Sequence, residues 1–310
     1  MMNEFELINR YFNWPLSDPS IELGVGDDAA LFEIDADCQL VTSTDTLSEG
    51  VHFFKDALPG DIAYKSLAVN LSDIAAMGAK AKCFTLSLTL PKLDEIWLKE
   101  FSESLKEASE FFKVSLIGGD TTKGPLNITI TIMGVVKKSK AIKRSGAKNG
   151  DDIYVSGDIG DAALCLKKIN EGIKPNSSEL NKLNQPVPRV KLGPSLINIA
   201  SSCIDVSDGL EQDLTHILRA SKVGAIIDSQ SLPLSDSVKD YLKTSQDLGL
   251  PLCGGDDYEL CFTSDQSNQM EIKKLSESLN IRITKIGVIN NSQTLEITGY
   301  EGSSKSYQHF

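Results

Sequence analysis

The sequence contains no stretch approaching about 20 consecutive apolar residues, so no transmembrane helix is implied. Its start, MMNEFELINRYF, carries an acidic residue early and lacks the apolar core of a secretory signal, so it reads as a helix. None of the six cysteines (Cys38, Cys83, Cys165, Cys203, Cys253, Cys261) forms a CxxC pair, and the three histidines lie far apart; both facts argue against a zinc site. Cys83, Cys203 and Cys261 sit in apolar runs, where cysteine acts as a small hydrophobe, and a reducing cytoplasm is the simplest setting. Basic residues are outnumbered, 31 Lys and Arg against 43 Asp and Glu, for a net charge of −12. No basic stripe is present to neutralise a nucleic-acid backbone. A GxxxxGK[ST] loop is missing, as is the protein-kinase set of glycine-rich loop, HRD and DFG.

What remains is a chain with enough apolar content, 41%, to bury a full core, at a length that favours two domains. The first half alternates strand and helix patterns. Glu4–Phe12 reads as a helix, Gln39–Thr44 as a strand, Asp61–Met77 as a helix that Asp61 can cap, and Cys83–Leu90 as a strand. Asp94–Phe112 is amphipathic and helical, VSLIGGD runs from a strand into a turn, and Asn127–Val136 alternates with period two. Lys137–Lys148 then carries six basic residues and few apolar ones. The boundary is placed near Ser145–Asp151, dividing the chain into residues 1–146 and 147–310. Beyond it, Asp152–Gly157 reads as a strand, Asp158–Ile169 as a helix, and Gly172–Pro188 as a polar loop. Helices are expected over Arg189–Ser201 and Asp208–Ala220, and strands at AIID, YELCFT and IRITKIGVI. The mixed pattern predicts two α/β or α+β domains.

The informative residues are aspartates beside glycine, serine or threonine: GVGDDAA (Gly24–Ala30), STDT (Ser43–Thr46), IGGDTT (Ile117–Thr122), DVSDGL (Asp205–Leu210) and GGDDYEL (Gly254–Leu260). Glycine lets backbone approach a ligand closely. Hard carboxylate and hydroxyl oxygens suit Mg²⁺, which is commonly shared with substrate phosphates. Gly24-Val25-Gly26 mimics half a dinucleotide fingerprint, but the Asp27 and Asp28 that follow repel a bare pyrophosphate unless a metal reverses the local charge. Asp73 lies in an apolar helix on one stripe with Ser66 and Asn70, and a buried carboxylate needs a metal, a salt bridge or a loop to cap. Asp28, Asp45 and Asp120 each have a turn-forming alternative, and Asp208 can be a helix N-cap. Ser43 and Thr44 can add oxygen ligands, while Gly118 and Gly119 can turn amides toward phosphate. Arg144 stands in the basic connection, where arginine suits phosphate; His52 is a polar contact or a satisfied buried histidine.

Taken in order, GVGDDAA, STDTLSEGVHF, KSLAVNLSDIAAMGA, IGGDTTKGPL, RSGAKNGD, DVSDGL and GGDDYELCF resemble the thiamine-monophosphate kinase family over nearly the whole chain. That family shares a superfamily with aminoimidazole ribonucleotide synthetase, selenophosphate synthetase and a hydrogenase maturation protein. The resemblance implies a mixed α/β two-domain fold: an N-terminal mixed sheet that forms a shared barrel in a homodimer, and a C-terminal α/β domain. It also implies transfer of the ATP γ-phosphoryl group to thiamine monophosphate with several Mg²⁺ ions and no protein base. Residue by residue, Asp28, Ser43, Thr44, Asp45, Asp73, Asp120, Asp205 and Asp208 match metal positions. Gly119, Asp120, Arg144 and Ser207 match ATP contacts, and His52 and Asp256 face the acceptor. Two departures stand out: Asp256 replaces a glutamate, and Ser304 takes the place of a C-terminal tryptophan, with Ser306 and Gln308 for glycine and aspartate. Tyr300 and Tyr307 are the nearest aromatic substitutes. The alternatives are another ATP-dependent synthetase of the superfamily or a MgATP-binding regulator without turnover.

Overall fold

A computed structural model describes residues 4–300, with side chains from Glu6 onward. The altered C-terminal run, with Ser304, Ser306, Tyr307 and Gln308, lies outside the described residues. Two compact units are present. One ends at Ile74 and resumes over Ala79–Ser139; the other comprises Ala75–Gly78 and the chain from Lys140 on.

In the first unit α1 (Glu4–Tyr11) leads to two short strands, β1 (Ile21–Leu23) and β2 (Leu31–Phe32), which pair antiparallel. They are followed by β3 (Cys38–Ser48), α2 (Pro59–Ala76), β4 (Lys80–Leu90), α3 (Glu95–Phe112), β5 (Ser115–Lys123) and β6 (Asn127–Lys137). The last four strands form one sheet in the order β3-β6-β4-β5. Only β4 and β5 are parallel, joined through α3 as parallel neighbours must be. Asp94 caps α3, its carboxylate accepting from the Trp97 amide at 3.2 Å. Side chains alternate across the sheet. Leu47, Ile128, Ile130, Ile132, Phe84, Leu86 and Leu88 are buried on one face, and the Thr42, Thr44 and Thr46 positions of β3 are exposed on the other.

The second unit contains β7 (Asp152–Ser156), α4 (Asp161–Asn170), α5 (Ser177–Asn184), α6 (Leu192–Ser195), β8 (Ala200–Val206), α7 (Leu210–Ser221) and β9 (Gly224–Asp228). It continues with α8 (Asp236–Ser245), α9 (Gly249–Cys253), β10 (Glu259–Ser264), α10 (Gln269–Leu279), β11 (Ile283–Asn290) and β12 (Leu295–Thr298). The sheet order is β12-β9-β11-β7-β10-β8. Every residue of β7 and β10 is buried. One face packs Ile153, Val155, Ile204 and Cys261 with Leu214 and Ile217 of α7. The other packs Tyr154, Cys203 and Phe262 with Leu192 and Leu196. Two covered faces explain why these strands read as apolar runs.

Three expectations are corrected. IGGD is strand, not turn, because β5 keeps pairing with β4 through Gly118↔Thr85, Gly119↔Leu86 and Asp120↔Ser87. A β-carbon on Gly119 would lie 1.8 Å from the Leu86 carbonyl oxygen, so only glycine permits that approach. The loop expected over Gly172–Pro188 holds α5, which opens with a capping box between Asn176 and Glu179. The helix expected over Arg189–Ser201 is one turn, α6; Asn198 turns left-handed at φ 68°, and the chain enters β8 to pair with β10. None of the six cysteines is joined in a disulfide. Among the described residues no helix is long and apolar enough to cross a membrane.

Candidate active site

Within the first unit the aspartate runs fall into two groups. Ser43 and Asp45 project from the buried face of β3, and α2 brings Asp73 against them. The Ser43 hydroxyl donates to Asp73 Oδ2 at 2.5 Å. Asp45 is in mid-strand, paired with Ile130, rather than after the strand or in a turn. Burial, the Asp73 charge and a hydrogen bond between the two carboxyls push Asp45 up to about 7. Two carboxyls this close hold either a proton or a cation between them. On the same stripe of α2, Ser66 Oγ donates to the Ile62 carbonyl and Asn70 Nδ2 to that of Ser66, while the buried Asn70 Oδ1 has no hydrogen-bond partner. Thr44 points to the opposite face, where its hydroxyl meets that of Thr131 at 2.9 Å. Its side chain is therefore not part of the Ser43–Asp45–Asp73 group.

The second group lines a cavity of about 560 Å³. Asp28 and Asp120, both exposed, line it with Gly118 and Gly119, while Ile8 of α1 and Phe12 just beyond that helix add apolar lining. Carboxylates and glycines together with apolar side chains in one lining match the two ends of a nucleotide in kind. His52 is half-buried and accepts the Ser48 amide on Nδ1 at 3.0 Å, so the neutral ring carries its proton on Nε2.

In the second unit DVSDGL and GGDDYEL lie side by side through the backbone. The Asp256 amide donates to the Ser207 carbonyl and the Tyr258 amide to that of Val206, each at 2.8 Å. These bonds hold a segment in which Gly255, Asp256 and Tyr258 all have positive φ, at 67°, 65° and 51°. A β-carbon on Gly255 would lie 2.4 Å from the Ser207 carbonyl oxygen. For the two non-glycine residues this conformation costs on the order of 1 kcal/mol each, and such strain clusters at ligand sites. Asp205 is buried on β8, while Ser207 and Asp208 are half-buried. Arg144 is exposed and, with Arg219, holds His216 below its ordinary value after the effect of burial, while Asp208 acts in the opposite sense. Arg144 and Asp208 thus share one electrostatic neighbourhood.

Three further acidic groups were given no site role in the sequence, although Asp257 and Glu259 stand in the GGDDYEL run. Asp213 Oδ2 accepts the amides of Ser207 and Asp208, each at 3.0 Å, and burial together with Asp208 pushes its carboxyl up to about 7. Asp257 accepts the Gly160 amide at 2.9 Å and is pushed well up by burial. Glu259 is buried and gripped by Arg189 through both carboxylate oxygens, with Ser156 Oγ donating at 2.6 Å. Asp213 alone carried a usable signal, lying one helical turn after Gly209. The Tyr300 hydroxyl is 3.8 Å from Cys253 Sγ, next to the glycine loop.

The family model described as AIR synthase related protein, N-terminal domain, matches residues 26–136, and the corresponding C-terminal domain matches 148–299. The chain is 44% identical to the thiamine-monophosphate kinase of Escherichia coli, over 99% of this chain and 98% of that protein. A crystal structure of thiamine-monophosphate kinase from Stenotrophomonas maltophilia is 42% identical and superposes with a TM-score of 0.90, covering 97% of this chain and 98% of that one. A solved complex of AaThiL with AMPPCP and TMP is 28% identical with a TM-score of 0.81, covering 100% of this chain and 97% of that one.

Proposed function

The chain belongs to the thiamine-monophosphate kinase family, and from that premise we propose that it phosphorylates thiamine monophosphate with ATP, giving thiamine diphosphate. The observation that carries the reading is the meeting of Ser43, Asp45 and Asp73 on one face of a strand and a helix. The same oxygen-rich chemistry recurs at Asp28 and Asp120 along a cavity of nucleotide character.

The donor set fits divalent cations. Asp45, pushed to about 7 beside Asp73, shows a pair of carboxyls that a hard cation relieves better than a proton. Asp28, Ser43, Thr44, Asp45, Asp73, Asp120, Asp205 and Asp208 are the residues that would hold several Mg²⁺ ions, Thr44 through its main chain, since its hydroxyl faces away. When bound, Mg²⁺ neutralises charge between two polyanions. This chain's residues do the rest by positioning: Gly119 and Asp120 present the strand edge to ATP, and Ser207 and Arg144 contact it. His52 and Asp256 face the acceptor phosphate. The attacking oxygen belongs to a phosphate that is already an anion at neutral pH, so transfer is direct and in line and no side chain acts as base. Residues 1–146 carry nucleotide, metal and dimer contacts, and 147–310 the α/β domain. The exposed threonine-bearing face of the first sheet is the surface that a second copy covers in a homodimer. A cytoplasmic setting completes the reading.

The test is to incubate the purified protein with MgATP and thiamine monophosphate and separate the products. ADP and thiamine diphosphate in equal amounts, without free phosphate, is the expected result. ADP with free phosphate and another acceptor would favour a synthetase of the superfamily, and MgATP binding without turnover a regulator.

A further inference from the structure

The amides of Ser207 and Asp208 are consecutive donors in a turn, the arrangement that commonly cradles an anion. Here the cradle is filled from within. Asp213, only 3% exposed on α7, turns back so that its Oδ2 accepts both amides at 3.0 Å. The Gly209 amide also favours its charged form. Ser207 and Asp208 precede Gly209, the N-cap of α7, so the carboxylate restrains the loop and not merely the first helical turn. The Ser207 peptide is shared: its N–H goes to Asp213 and its carbonyl receives the Asp256 amide at 2.8 Å. With those amides occupied, the loop has its side chains left to offer a nucleotide and its cation.

We propose that Asp213 is a positioning residue that sets the Ser207–Asp208 loop and, through the Ser207 peptide, the Asp256 loop, so that one buried carboxylate governs the use of both substrates. This rests on the assignment of Ser207 and Asp208 to MgATP and of Asp256 to the acceptor made above. Both amides converge on a single oxygen, so the role requires an acceptor atom and not a charge. Asparagine, with one carbonyl oxygen, can fill it; alanine cannot.

The experiment compares wild type, Asp213→Asn and Asp213→Ala for kcat, for KM toward MgATP and thiamine monophosphate, and for amide hydrogen exchange at Ser207, Asp208 and Asp256. Asp213→Ala is expected to raise both KM values and lower kcat, each by about 10-fold or more, with Asp213→Asn within about 3-fold of wild type. Exchange at Ser207 and Asp208 should quicken by about 10-fold in Asp213→Ala alone, with a smaller rise at Asp256. Unchanged KM values in Asp213→Ala, or equal losses in both variants, would overturn the proposal. Asp213→Ser, too short to reach both amides, takes the place of Asp213→Ala if the latter does not fold. Should the wild type make no thiamine diphosphate, the kinase reading fails, while unchanged exchange in the alanine variant would sink the positioning role independently.

Discussion

In the first unit Asp45 and Asp73 meet side chain to side chain, one from the middle of a paired strand and the other from a largely apolar helix. In the second unit Ser207, Asp208 and Asp256 are set by main-chain hydrogen bonds between two loops, with left-handed residues in one of them. The difference shows two ways of holding an acidic site. Rigid elements can force like charges together, at a cost seen in the proton affinity of Asp45, because neither strand nor helix can relax away. Loops cannot sustain such repulsion, so they fix the peptide planes and leave the side chains to adapt. A cation bound as proposed would stabilise the first site and orient the second.

The largest test of this contrast is Asp73→Asn. It removes one charge from the crowded pair and should cut thiamine diphosphate formation by about 10³-fold or more, while circular dichroism shows an intact fold. Near wild-type turnover would remove the multi-metal reading. Arg189→Ala probes the other unit. It leaves Glu259 buried without its cation at the end of the GGDDYEL loop, and urea unfolding should show a loss of about 3–5 kcal/mol. A loss below about 1 kcal/mol would mean that the loop does not depend on this anchor.

A smaller effect separates the two sites by pH. Asp45 holds its proton to about 7 in the folded chain against 3.8 ordinarily. Between those values the native state binds more protons than the unfolded state, so stability in chelator falls as pH rises through that window. The loss is complete above pH of about 7 and amounts to about 1–3 kcal/mol once water access is allowed for. Asp213, also pushed to about 7, contributes with the same sign. Asp45→Asn should therefore flatten the slope in part, and Mg²⁺ at pH of about 8 should restore wild type but not that variant. A slope unchanged in Asp45→Asn would show that the carboxyl pair does not titrate this way. The smallest effect concerns β3 alone. Ser43→Ala should reduce activity by about 10-fold and Thr44→Val by less than about 3-fold, because only the serine hydroxyl faces Asp73. A reversed order would assign the threonine hydroxyl to the site.

Much of this architecture was legible in the residues. The period-two run Asn127–Val136 is β6 extended by one residue, and Asp94–Phe112 is α3 with its cap. Asp73 was conspicuous because a carboxyl in an apolar helix demands an explanation, and Ser43 proved to be its partner. IGGD misled because glycine pairs favour turns locally, whereas the close approach of β5 to Leu86 is a contact between strands far apart in sequence. The role of Asp213 is not legible in residue type alone, because its hydrogen bonds depend on how α7 leaves the turn. Arg189 and Glu259 are 70 residues apart, and no local pattern joins them.

By itself the sequence determined the chemical character of the protein: carboxyl and hydroxyl oxygens in glycine-flanked runs, strands and helices by period, and a family resemblance spread over nearly the whole chain. Those properties are local, written in residue type and spacing. Only the tertiary structure decided which oxygens meet, that Thr44 turns away while Ser43 and Asp45 turn inward, and that the DVSDGL amides are filled by the protein's own carboxylate. The reason is physical. Strand register and loop-to-loop hydrogen bonds couple residues whose separation along the chain carries no information about their separation in space.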